Sequence, residues 1–357
     1  MNKPSNLYLE ELLIDSNLFT DVLGKKTSKI VQHDFSKETI LITGAAGSIG
    51  SELSKQLIKS KFKKLILIDV AESPLYNLIK EVEFENTENV EFILLNILEK
   101  EAITNVFKKH KPTIILHTAA YKHVPLMENN PYEAVKLNIF GTKLLADISN
   151  SFKVKKFIFI STDKAVNPVS IMGISKKVAE NYINQLSKKS DTLFCSTRFG
   201  NIFGSNGSVL LLFKRQIELG LPITVTHKEI SRFFISKHKA CKLILDVANF
   251  DYTDYHVFTF NMGKPIKIID LANRLKVLYA SKNVKIDVVI TSLRPGEKLN
   301  EEIISENEAL LPTKNKEIFL VKNDYFTASS SLDFSKLETI TPYFSKDKIK
   351  SILLSFI

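Results

Sequence analysis

The sequence predicts an α/β fold, a doubly wound parallel sheet with a smaller C-terminal lobe. Three observations predict it. A buried strand runs straight into a glycine-rich turn and a helix over TILITGAAGSIGSELSKQLIKS (39–60). Apolar strand runs then alternate with helical stretches through short connections as far as residue 200. Asp69, His117, Thr162 and Arg198 all fall at or near strand C-terminal ends, where such sheets bind their ligands.

Residues 1–38 are mixed polar and apolar, with LEELLIDSNLF as a short amphipathic helix and DVLGKK as a turn; they read as a packed arm. The strand Ile40–Thr43 leads into Gly44, Gly47 and Gly50. The first glycine permits a tight turn, the second a close approach of backbone to a pyrophosphate, and the third close helix–strand packing. Unpaired N–H groups at the helix start then face the anion. The second strand, KKLILIDV (63–70), carries Asp69 near its end. A carboxylate there bonds ribose hydroxyls and repels a 2′-phosphate, which favours NAD over NADP, with a simple strand-end cap as the alternative reading of Asp69. The third strand, VEFILLN (90–96), places Asn96 and Ile97 where such folds touch an adenine. A helix over 99–110, a fourth strand PTIILHTAA (112–120), and a long helix near 131–149 containing Asn138 follow. KKFIFIST (155–162) is the fifth strand, a helix starts near Gly173, and TLFCSTRFG (192–200) is the next strand. This is the pattern of a Rossmann core over 39–200.

The chain has 357 residues, of which 49 are Lys or Arg and 39 Asp or Glu, a formal charge of +10. Its 24 Phe and 10 Tyr exclude a disordered chain. Two cysteines support neither a disulfide framework nor a four-thiolate zinc site, and suggest a reducing compartment. The histidines are scattered without an HxxxH pair, so no metal is expected. No apolar run approaches a bilayer span and no leader pattern opens the chain, which suggests a cytoplasmic location without an integral membrane segment. The positive charge suits several anions, but no zinc finger, helix-turn-helix or clustered Arg-aromatic motif points to nucleic acid.

The chemistry is expected in FISTDKAVNPVSIMGISKKVAE (159–180). Asp163 and Lys164 are adjacent polar groups on a short loop, suited to acid–base work, or else a turn cap and its neighbour. Met172 and Lys176 are four apart and share a helix face. A lysine there holds positive charge beside a substrate hydroxyl, or is one more solvated helix lysine; Met172 alone reads as core.

The motifs LITGAAGSIGSEL, HTAAYKHVPLMENNPYEAVKLNIFGT, STDKAVNPVSIMGISK, RFGNIFGSNGSV, TVTHKEISRFF, NMGKPIKIIDLA and SLRPGEKLNEE together carry a resemblance that spans about Leu9 to Ile304. The chain resembles the extended short-chain dehydrogenase/reductases, and more narrowly the nucleotide-sugar 4,6-dehydratases of polysaccharide biosynthesis that act on UDP-N-acetylglucosamine. The superfamily's YxxxK stands here as Met172-x-x-x-Lys176, a variant this dehydratase group shares. AAYKHVPLME and Asp69 resemble the larger, C5-retaining form of the group, with residues 1–38 as its juncture segment.

The resemblance implies an internal redox cycle with NAD: oxidation at C4, loss of water across C5–C6, and reduction at C6. It implies Thr162 on the 4-oxygen, Asp163 as acid for the 6-hydroxyl and possible C4 base, Lys164 as C5 base, and Lys176 on the nicotinamide ribose, with Met172 beside it. The cofactor would touch Gly44, Ala46, Gly47, Ser48, Ile49, Gly50, Asp69, Asn96, Ile97, Ala119, Ala120, Lys122, Asn138 and Lys176. The UDP-sugar would meet Lys122, His123, Arg198, Asn201, Arg232 and Arg294, with Glu297 on a ribose or bracing Arg294; His123 is nearly as well explained as structural. A substrate lobe is expected over 201–325, with a return strand near 256–262, strands at 284–290 and at the edge near 314–323, and a helical tail over 326–357. The protein is expected to be a homo-oligomer. A 4-epimerase or reductase, a C5-inverting dehydratase, or a non-catalytic NAD-binding protein are the alternatives.

Overall fold

Runs of Ile, Leu and Val such as ILIT (40–43) and LILID (65–69) are buried on both faces, as strands inside a two-sided parallel sheet must be. The computed structural model describes residues 5–26, 30–252, 256–280, 285–323 and 333–357. Six parallel strands form the sheet's centre: β1 (Asp34–Thr43), β2 (Lys61–Asp69), β3 (Val90–Leu94), β4 (Ile114–His117), β5 (Lys156–Ile160) and β6 (Leu193–Arg198). Their order is β3-β2-β1-β4-β5-β6, so the chain reverses its winding between β1 and β4 and opens a crevice above their C-terminal ends. The return strand His256–Phe260 adds parallel to β6, and the antiparallel pair Ile318–Asn323 and Glu308–Pro312 completes nine strands.

Helices cover both faces. Leu53, Leu57, Leu243 and Ile244, from the helices Ser48–Ile58 and Lys237–Ala248, pack against one. Ile103, Phe107, Leu145 and Ile183, from three other helices, pack against the opposite one. A separate core gathers Phe203, Leu210, Phe213, Ile223 and Leu271 of the second lobe. The arm helix Ser5–Ser16 buries Leu9, Leu12 and Leu13 in that core, so the arm belongs to the lobe's interior. The tail forms two short helices, Ser335–Glu338 and Lys346–Leu354, whose Leu337 and Leu353 pack near Met172 and Val178.

Four boundaries differ from expectation. β1 starts at Asp34, inside the expected arm, because Asp34 and Phe35 pair with Lys61 and Phe62 and Phe35 is buried. The helix expected at 131–149 has a π-helical middle, Val135–Gly141, between Pro131–Ala134 and Thr142–Ser151. The strand expected at 284–290 is Val288–Ile290, and its first residue lies outside the described residues, as does 326–332 of the tail. The 314–323 strand is second from the edge; the edge itself is EALLP (308–312).

Candidate active site

The glycine-rich turn is built by interlocking backbone. Gly44 sits at φ +67°, and a Cβ there would fall 2.8 Å from Ala119 of the chain leaving β4. A Cβ on Gly50 would lie 2.1 Å from Gly44 O, so only glycine lets the helix Ser48–Ile58 approach β1 this closely. Gly47 caps that helix without a side-chain acceptor, which leaves the first-turn N–H groups facing the crevice. Asp69 Oδ2 accepts from Ala46 N at 2.8 Å and Oδ1 from Ala71 N at 2.9 Å, which fixes the carboxylate beside the turn. This is a cradle of the shape and polarity that a dinucleotide pyrophosphate and ribose require. Asn96 Oδ1 accepts from Leu98 N at 3.0 Å, and Ile97 packs into the core under the same crevice.

Asn138 is turned inward by the π-helical segment. Its Oδ1 accepts from Tyr121 N at 2.8 Å, and its Nδ2 donates to Tyr121 O and Ser175 Oγ, each at 3.0 Å. Both amide hydrogens are used within the protein, and Asn138 clamps the loop that carries Ala119, Ala120 and Lys122. His117 is held nearby as a neutral ring. Thr142 Oγ1 donates to Asn138 O, so it accepts from His117 Nε2–H at 2.9 Å, and Thr43 Oγ1 donates to Nδ1 at 2.7 Å. Burial, with the charge of Lys176 added, pushes its pKa down to about 3.

Beyond β5, Thr162 caps a 3₁₀ turn over Asp163–Ala165. Its Oγ1 donates to Asp163 Oδ1 at 2.9 Å. Lys164 Nζ donates to the same Oδ1 at 3.0 Å and to Asn201 Oδ1 at 2.8 Å. Asp163 is fully buried, and its Oδ2 has no hydrogen-bond partner among the described residues. The helix Ile171–Ser187 starts with Ser170 Oγ accepting from Gly173 N, and a Cβ on Gly173 would meet Lys164 O at 2.3 Å. That contact presses the helix onto the turn. Met172 packs among Met127, Ile139 and Phe334-side apolar groups and offers no proton acceptor. One turn on, Lys176 is buried with Nζ 3.8 Å from the centre of the Phe159 ring, and burial lowers its pKa to about 7.

A loop from the second lobe closes over these groups. Asn206 N donates to Ser48 Oγ at 3.0 Å, and Lys122 Nζ donates to Ser205 Oγ at 3.2 Å. A Cβ on Gly207 would fall 2.3 Å from the His123 ring. The glycine turn, the YKHV loop and the Asn201 segment therefore meet in one place.

Two of the expected substrate contacts, Arg198 and Arg232, are engaged within the protein. Arg198 is 1% exposed, with its guanidinium paired to Glu180 at 2.7 Å and Glu308 at 2.9 Å; it is an internal cross-link. Arg232 spends its Nη1 and Nη2 on the carbonyls of Ser231, Leu299 and Lys298, with Glu297 Oε1 3.5 Å away, and so holds the 297–299 segment. Arg294 is half-exposed and donates to Glu297 Oε1 at 3.0 Å, so Glu297 braces Arg294.

Residues 40–323 match the family model described as polysaccharide biosynthesis protein. The chain belongs to this family. Among its relatives, the capsular polysaccharide biosynthesis protein CapD of Staphylococcus aureus is 40% identical over 93% of the chain and 56% of its own length. The chain thus spans little more than half of that relative. A UDP-N-acetylglucosamine 4,6-dehydratase (inverting) of Campylobacter jejuni is 32% identical over 84% of the chain and 87% of its own length. The solved structure of Pen from Bacillus thuringiensis superposes with a TM-score of 0.73 at 29% identity, covering 81% of this chain and 90% of that one.

Within this family fold, Glu301 is a site residue that sequence reasoning missed. It lies in the quoted SLRPGEKLNEE motif, yet nothing local in the sequence tells which of its acidic groups turns toward Lys164. Its side chain is 5% exposed and Oε1 stands 3.9 Å from Lys164 Nζ. Among the described residues no group of His, Cys, Asp and Glu could hold a metal ion, and no helix is long and apolar enough to cross a membrane.

Proposed function

We propose that this protein is a nucleotide-sugar 4,6-dehydratase acting on UDP-N-acetylglucosamine with retention at C5, using NAD. The observation that carries the reading is the Thr162–Asp163–Lys164–Asn201 cluster, an acid and an amine hydrogen-bonded at the end of β5 with a second, buried lysine on the adjoining helix. An enzyme that only oxidises and re-reduces C4 needs no such acid–amine pair.

The glycine cradle and Asp69 are the residues that would hold the dinucleotide, and the Asp69 charge disfavours a 2′-phosphate. Bound there, nicotinamide supplies reversible two-electron chemistry at the sugar. Lys176 places positive charge where oxygen becomes anionic, and with a pKa of about 7 it exchanges a proton near neutral pH. Thr162 turns its hydroxyl from Asp163 Oδ1 to donate to the 4-oxygen. Lys164 accepts the C5 proton once C4 is a ketone, and Asp163 protonates the departing 6-hydroxyl. Met172 cannot accept a proton, so the C4 hydroxyl proton goes to Asp163 directly or through water. Arg294 and Lys122 supply positive charge to the diphosphate from two loops. The C5-retaining reading is supported by the acidic Asp69 and the AAYKHVPLME loop, which resemble the retaining form of the group.

Incubation with UDP-N-acetylglucosamine in deuterated water, read by NMR, tests this. The expected product is a 4-keto-6-deoxy sugar with deuterium at C5 and unchanged C5 configuration. A sugar inverted only at C4 makes the protein an epimerase, and inverted C5 with loss of the 6-hydroxyl makes it an inverting dehydratase.

A further inference from the structure

The segment 297–302 crosses from the second lobe onto the turn after β5. Lys298 Nζ donates to Val166 O at 3.1 Å, and Asn167 Nδ2 donates to Glu302 Oε2 at 2.9 Å. Arg232 grips the carbonyls of Lys298 and Leu299 from behind. Between these anchors Glu301 points inward, its Oε1 3.9 Å from Lys164 Nζ and its Oε2 buried without a hydrogen-bond partner among the described residues. A buried carboxylate oxygen with no donor costs the fold stability, so packing gives no reason for an acid at this position. Lys164 thus lies between two carboxyls, Asp163 bonded at 3.0 Å and Glu301 just beyond bonding distance.

Resting on the dehydratase reading above, we propose that Glu301 is a positioning residue for proton removal at C5, its carboxylate setting how readily Lys164 gives up and takes back a proton. In that step the C5–H bond breaks, its proton forms an N–H bond on Lys164, and the electron pair passes to the adjacent C4 carbonyl as an enolate. A carboxylate facing the ammonium stabilises the protonated lysine that results, at the cost of a smaller free-amine fraction beforehand. The groups that face Glu301 are Lys164, Asp163, Arg232 and Lys298. Burial raises Glu301 above the ordinary carboxyl range; the three cations oppose this and the Asp163 charge adds to it.

Two readouts on the full chain test the proposal. Labelling of Lys164 by an amine-directed acylating reagent at pH 8, followed by mass spectrometry with the exposed Lys111 as internal reference, needs no turnover. Glu301→Gln is expected to speed it at least threefold, whereas Glu301→Asp stays within twofold of wild type. With UDP-N-acetylglucosamine in deuterated water, C5 exchange by Glu301→Gln is expected to rise at lower pH than wild type and to level about three- to tenfold lower, with KM unchanged. Unchanged labelling in Glu301→Gln overturns the proposal even if kcat falls, and so does a Glu301→Asp chain as reactive as Glu301→Gln. Absence of C5 exchange in the wild type defeats the dehydratase reading, while the labelling ratio still decides the role of Glu301.

Discussion

Burial of Lys176 over the Phe159 ring withdraws water from its ammonium and brings its pKa from 10.5 to about 7. The unfolded chain binds this proton up to its ordinary value, and the folded chain gives it up near neutrality. Between about pH 7 and 10.5 the unfolded state therefore holds more protons, and the fold gains stability as pH rises through that window. Lys176→Met removes the penalty while keeping the length of the side chain. In urea titrations at pH 7 without ligand, the variant should be more stable than wild type by on the order of 2–4 kcal/mol, and should have lost turnover. Its stability should also stop rising between pH 7 and 10 from this cause. A variant equal to or weaker than wild type at pH 7 defeats the account. The sequence placed Lys176 on the Met172 face of its helix, but left open a solvated lysine. What it lacked was the partner: Phe159 lies on a different element, and the burial that shifts the proton comes from β5.

At the scale of elements, the glycine turn was legible because each glycine answers a local demand. The structure attaches a contact to each, and they differ in consequence. A Cβ on Gly50 meets Gly44 O at 2.1 Å and Ala45 Cα at 2.8 Å, both backbone, so no side chain can swing aside. The helix must lift from β1, which also withdraws its N–H groups from the crevice. Gly50→Ala should cost roughly 3 kcal/mol or more by urea unfolding and weaken binding of NAD at least tenfold by calorimetry. Gly220 is the control: its φ of +65° penalises alanine, but nothing lies within 4 Å of the added carbon. Gly220→Ala should cost only about 1–2 kcal/mol and leave NAD binding untouched. Equal losses of binding in the two variants would falsify the steric account. The π-helical turn at Val135–Gly141 was not legible, since one extra residue in a turn leaves apolar spacing close to that of an α-helix. Its effect is to aim Asn138 at both backbone groups of Tyr121, a role that spacing along one helix cannot reveal.

For the molecule as a whole, the alternation of strands and helices was readable because the inner stretches of the central strands, such as 40–42, 65–68 and 114–116, are buried on both faces and apolar. What joins distant parts was not. Arg198 stands at a strand end, the usual place for a ligand group, and its two partners are 18 and 110 residues away. It connects the helix that carries Lys176, the strand β6 and the outermost strand of the sheet. Burial alone would raise Glu180, and the charge and hydrogen bonds of Arg198 instead hold it below the ordinary carboxyl range. Arg198→Met leaves Glu180 and Glu308 buried without their cation, so unfolding in urea at pH 7.5 should lose about 3–5 kcal/mol. The deficit should shrink at pH 5.5, because burial then favours proton uptake by Glu180, and a neutral carboxyl is cheaper to bury. A diphosphate contact makes the opposite forecast, with stability kept and KM for the UDP-sugar raised. Urea midpoints at the two pH values, set beside KM for whatever activity survives, separate an internal cross-link from a substrate clamp.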